Sequence, residues 1–78
     1  MKSISGRVEL GNDERRRLVG LAYRMLGTVS EAEDAVQKAF LRWYRLSLGE
    51  RAVIENPAGW FTRVTSRICL DVLGSARA

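Results

Sequence analysis

Apolar residues recur along this chain at intervals of three and four. Leu18, Leu21, Ala22 and Met25 form one stripe. Ala32, Ala35, Val36, Ala39, Trp43 and Leu46 form a second, and Phe61, Val64, Ile68 and Val72 a third. That spacing is one face of an α-helix, so the pattern predicts three helices. Nothing alternates with period two over a useful length, and no sheet is expected. The fold class read from the pattern is all-α, a small bundle of three to four helices.

Turn and cap residues divide the same stretches. Residues 1–11 carry little periodicity and read as an N-terminal leader, with the helical domain over 12–78. Asn12 is a candidate N-cap, with Asp13 and Glu14 in the first turn and Gly27 as a stop, giving a first helix over about 13–26. Ser30 and Glu33 spell a capping box for a second helix over about 31–47. Residues 48–56 read as a connection. Asn56-Pro57 then starts a third helix over about 57–73, with Asn as cap and Pro at the first helical position. After Gly74 the sequence stays helix-permissive and offers no clear stop, so the chain reads as a fragment of something longer.

The second helix has more apolar residues than one stripe holds. At about 100° per residue, Ala32, Val36, Ala39 and Trp43 face the core and Phe40 sits at its edge. Leu41 and Tyr44 lie beyond it, beside Glu33, Asp34 and Gln37. Such a strip is either a protein-docking face or a surface that another helix covers. On the third helix Arg63, Arg67 and Arg77 share a narrow sector, with Trp60 and Phe61 at the helix entrance. Either this face takes a nucleic-acid strand, phosphates on Arg and bases on rings, or the rings are core and the cations a solvated face.

Charge sharpens the second choice. Thirteen Lys+Arg against nine Asp+Glu give a net charge of +4 over 78 residues, and eleven of the cations are Arg. Arg suits forked contact with phosphate and base edges. There is no His and one Cys, Cys69, which excludes a zinc finger, an internal disulfide and a His-based triad. Cys69 reads as a small buried hydrophobe, Asp71 as an ion-pair partner of Arg67, and Arg15-Arg16-Arg17 as a solubilising triplet. No carboxylate pair, metal-ligand cluster or phosphate-cradling Gly loop appears, so no catalytic residue, metal or cofactor is expected and the chain is read as non-enzymatic. No stretch approaches a membrane span or a signal-peptide core, and the expected location is the cytoplasm.

These residues resemble region 2 of bacterial sigma factors of the sigma-70 family, most closely the extracytoplasmic-function (ECF) group, over about residues 13–77. The family's Asp-x-x-Gln-x-x-Phe pattern is here Asp34, Gln37 and Phe40, followed at the family's distance by Pro57-x-x-Trp60. The resemblance implies that the second helix docks on the clamp helices of the β′ subunit of RNA polymerase through Asp34, Gln37, Phe40 and Leu41, with Glu33 and Tyr44 beside them. It also implies that Val53, Ile54, Glu55 and Asn56 in the loop, then Trp60, Arg63, Arg67 and Arg77 on the helix, recognise single-stranded minus-ten promoter DNA. An anti-sigma factor is a further partner of such domains. The sequence departs from the pattern at Lys38, where the family has an acidic residue, at Ile68, where it often has Asn, and at Gly74, where it has Arg. Region 4 is absent from this chain. A polymerase-binding module without DNA contact and a small enzyme are the rival readings. The first is favoured by the missing Arg at Gly74 and the second is weakened by the lack of His.

Overall fold

The computed structural model describes the backbone of residues 2–77 and the side chains of residues 13–75. Four helices follow one another: α1 (Lys2–Leu26), α2 (Val29–Arg45), α3 (Leu48–Ala52) and α4 (Pro57–Arg77). Among the described residues there is no strand.

The first helix starts eleven residues before the expected 13, so 2–11 are helical rather than a leader of little structure. The stretch has no Pro, and an interior Gly costs a helix only about 1 kcal/mol, so Gly6 and Gly11 do not stop it. The cap read at Asn12 is therefore interior. Gly27 does end α1. It has φ +90°, in the left-handed region, and its N–H donates to the Tyr23 carbonyl at 2.8 Å. Only glycine takes that conformation without steric cost.

The turn then places Thr28 in extended geometry as the N-cap of α2, its Oγ1 accepting from the Glu31 N–H at 3.2 Å. The capping residue is thus Thr28 rather than Ser30. Both spell Ser/Thr-x-x-Glu, and Gly27 decides between them because it fixes where the chain turns. A second correction falls in the connection. Ser47 and Glu50 form a full capping box that starts the five-residue α3, and α2 has already ended at Arg45. At Asn56 the sequence reading holds. Its Oδ1 accepts from the Gly59 N–H at 3.1 Å and its carbonyl from the Trp60 N–H at 3.0 Å.

The core joins α1, α2 and α4. Leu18 and Ala22 meet Ala32, Ala35, Val36 and Ala39, and Phe61, Ile68 and Cys69 close the third side. The α1–α2 turn folds the second helix back, bringing Arg15 over Phe40. The α2–α4 pair also runs antiparallel, with Trp43 beside Trp60 at one end and Lys38 and Arg42 sharing a shallow groove with Asp71, Val72 and Ser75 toward the other. Small side chains on α2 let the helices approach, so the bulky packing gathers at the Trp43 end. There Phe61 is the hub. Its ring centroid lies 4.6 Å from that of Phe40, 5.2 Å from that of Trp43 and 5.0 Å from that of Trp60.

Candidate functional site

The outward face of α2 presents Glu33, Asp34, Gln37, Leu41 and Tyr44, all exposed. Leu41 is 50% and Tyr44 64% accessible, so no helix among the described residues covers them. Phe40 differs. It is half-buried, stacked on Phe61 and 6.5 Å from Tyr44, with the Arg15 guanidinium 5.8 Å from its centroid. Its ring therefore belongs partly to the core and partly to the face. Lys38 lies on the same side of the helix and reaches Asp34 at 3.9 Å, an exposed i,i+4 pair that partly neutralises the carboxylate. Such pairs are worth only about 0.3–0.5 kcal/mol, so the pairing is easily traded for another.

The second face is built from the loop after α3 and the outer side of α4. Val53 is 77% exposed, Ile54 is half-buried and Glu55 is exposed. Asn56 is exposed, but its side-chain oxygen is occupied in capping α4. On α4 both Arg63 and Arg67 are exposed, whereas Trp60 is half-buried with its indole edge-on to Trp43 at 5.2 Å. Leu70, 59% exposed, joins the two arginines on this outer side. Phe61 is core. The side chain of Arg77 lies outside the described residues. The expected Arg67–Asp71 ion pair does not form among the described residues, which leaves both groups to solvent.

Sequence reasoning missed two arginines that hold these faces in place. Arg17 is exposed, as a solubilising residue would be, but it also makes a tertiary tie. It pairs with Glu14 and donates to Thr62 Oγ1 at 2.7 Å and to the Ala58 carbonyl at 3.4 Å, tying α1 to the first turn of α4. The Glu14 carboxylate pushes the Arg17 pKa further up. Arg51 donates from Nε to the Trp43 carbonyl at 3.2 Å and from Nη2 to the Tyr44 carbonyl at 3.1 Å. The only sequence signal for it was the Ser47-x-x-Glu50 capping box, which places a helical turn there and returns Arg51 to the end of α2.

The rest of the chemistry is sparse. Cys69 is a free, buried thiol, and burial pushes its pKa up, which makes it inert. Thr65 Oγ1 is buried without a hydrogen-bond partner. Among the described residues no group of His, Cys, Asp or Glu could hold a metal, and no helix is long and apolar enough to cross a membrane.

Comparison with known proteins assigns the architecture. The profile of sigma-70 region 2 matches residues 12–78. The ECF RNA polymerase sigma factor SigJ of Mycobacterium tuberculosis is 48% identical over 62 residues, which are 80% of this chain and 19% of the relative. The probable ECF RNA polymerase sigma factor SigI of the same species is also 48% identical over 62 residues, 80% of this chain and 20% of the relative. The ECF RNA polymerase sigma factor SigW of Bacillus subtilis is 34% identical over 55 residues, 70% of this chain and 29% of the relative. This chain thus spans about a fifth to under a third of the curated relatives it matches. No solved structure gives a significant match. With the all-helical fold, the profile and these relatives together, the chain belongs to the sigma-70 region 2 family, and its relatives are ECF sigma factors.

Proposed function

We propose that this domain serves promoter-specific transcription initiation by bridging RNA polymerase and melted promoter DNA. The α2 face carrying Glu33, Asp34, Gln37, Leu41 and Tyr44, shaped from beneath by Phe40, docks on the β′ clamp helices. The loop Val53–Asn56 and the α4 residues Trp60, Arg63 and Arg67 hold unpaired bases of the minus-ten element, with Arg77 of the same helix as a further cation. One observation carries the reading: Leu41 and Tyr44 on one helix and Arg63 and Arg67 on another are all turned to solvent. The α2 flank, where Leu41 also shares a shallow groove with Lys38, Arg42 and Arg45, and the α4 flank are thus accessible at once.

The energetics are consistent with a binding role. Taking a base out of the stack costs a few kcal/mol. Stacking on a protein ring returns about 1–3 kcal/mol per base. The half-buried Trp60 leaves part of its indole for this, and Val53 and Ile54 add apolar contact. Arg63 and Arg67 supply the salt-sensitive attraction to phosphate. The domain makes and breaks no bond; polymerase does the chemistry, in the cytoplasm. An anti-sigma factor would act by covering the same α2 face.

Two titrations of the purified chain test the proposal. A β′ clamp-helix fragment should bind, and single-stranded minus-ten oligonucleotides should bind with an affinity that falls as salt rises. Clamp binding without any salt-dependent oligonucleotide binding would leave a polymerase-occupying module only. That alternative has one feature in its favour, since Gly74 puts no cation beside Arg67 where the family has one.

A further inference from the structure

The geometry points to Arg51 as the positioning residue that sets the base preference of the loop Val53–Asn56; this rests on the proposed DNA-binding reading. Arg51 acts in two directions. Its side chain closes the end of α2: Nε and Nη2 take the Trp43 and Tyr44 carbonyls, and the guanidinium lies 5.7 Å from the Trp43 ring centroid and 6.0 Å from that of Tyr44. Carbonyls in the last turn of a helix are short of intrahelical donors. The Trp43 carbonyl takes only one main-chain N–H, that of Leu46 at 3.1 Å, and a forked cation spanning it and the Tyr44 carbonyl is a fixed anchor. Its main chain opens the loop, because the Arg51 carbonyl accepts from the N–H groups of Val53 and Ile54.

The loop is therefore pinned at both ends, by Arg51 before it and by the Asn56 cap after it. Between the pins stand the exposed Val53, the half-buried Ile54 and the exposed Glu55. A base taken out of its stack is discriminated by groups held in place before it arrives, and a loose support shell loses that discrimination first. Lys at position 51 would keep the charge but not the planar fork that spans two carbonyls and stacks on two rings. Nε and one Nη2 N–H are engaged by carbonyls, and the salt slope of Arg51→Ala tells this positioning role from a phosphate contact made by the remaining N–H groups.

The test compares wild type with Arg51→Ala and Arg51→Lys, each first checked for unchanged helical content. Amide exchange is followed across the chain, and affinities are measured for single-stranded homopolymers of dA, dC, dG and dT over a range of salt. In Arg51→Ala, exchange at Val53 and Ile54, whose N–H groups bond the Arg51 carbonyl, should accelerate about tenfold while α1 and α4 stay protected. The ratio of best to worst homopolymer affinity should fall toward one, with Arg51→Lys intermediate, and the slope of affinity against salt should not change. Unchanged exchange, an unchanged ratio, or a salt slope reduced by about one unit would each overturn the assignment. A wild-type chain that binds none of the homopolymers would sink the DNA-binding reading and this role with it. A wild-type preference that survives in Arg51→Ala would sink the Arg51 role alone.

Discussion

Phe40 and Leu41 are neighbours in sequence and belong to the same proposed docking face, yet the fold assigns them different burdens. Leu41 is 50% exposed. Complete burial of a Leu side chain is worth about 1.5–3 kcal/mol, so roughly half of that, about 1 kcal/mol, remains for a partner to gain. Leu41→Ala should weaken binding of the β′ clamp-helix fragment about fivefold and shift the melting temperature by no more than a few degrees. Phe40 lies against Phe61 at 4.6 Å and under Arg15. Full burial makes Phe→Ala cost about 3–5 kcal/mol. For a half-buried ring that also loses an aromatic pair worth about 0.5–1.5 kcal/mol, the cost is about 2–4 kcal/mol. A chain of 78 residues has a total stability of only about 4–12 kcal/mol. Since 1 kcal/mol moves the midpoint of so small a domain by about 4–8 °C, Phe40→Ala should melt about 10–30 °C lower. Circular dichroism melts and calorimetric titrations on both variants decide the matter. Equal losses of stability, or a stable Phe40→Ala, would refute this division of labour between support and contact.

Three more outcomes follow from the same geometry. Gly27→Ala should destabilise by about 1–2 kcal/mol in chemical denaturation, because Cβ is unfavourable at φ +90°. In a double-mutant cycle, Arg17→Ala and Thr62→Val should couple by about 0.5–1.5 kcal/mol, the net worth of one hydrogen bond, and additivity would deny the tie between α1 and α4. Cys69 should resist alkylation until the domain unfolds. Because its pKa is raised in the folded state, its contribution is intact below the ordinary thiol range and is lost as pH rises through that range toward the folded value. Denaturation midpoints of wild type and Cys69→Ala across alkaline pH would show this as a slope that the variant lacks.

The three long helices were legible because each combines a periodic stripe with a terminal signal that acts locally. Asn56-Pro57 and Gly27 need no tertiary help to do their work. The exposure of Leu41 and Tyr44 was half-legible: the angles placed them off the core, but whether anything covered them depended on where α3 lay. What escaped was partly local, the helical start of α1 and the Ser47-x-x-Glu50 box that begins α3, and partly set by partners distant in sequence. Arg17 looks like any basic triplet member until α4 arrives with Thr62 and Ala58. Arg51 looks like loop charge until the turn of α3 brings it back on the carbonyls of α2. The choice of Thr28 over Ser30 as cap is local, since Gly27 ends α1 and leaves Thr28 as the first extended residue, but two overlapping Ser/Thr-x-x-Glu spellings masked it.

Bulk is distributed unevenly along the bundle, with alanines lining the middle of α2 and four rings knotted where it meets the start of α4. Thermal fraying should therefore begin at the alanine-rich end and reach the ring-bound end last. The extremity that stays ordered longest is the one next to the loop. A tool whose working tip is its stiffest part can tolerate a loose handle.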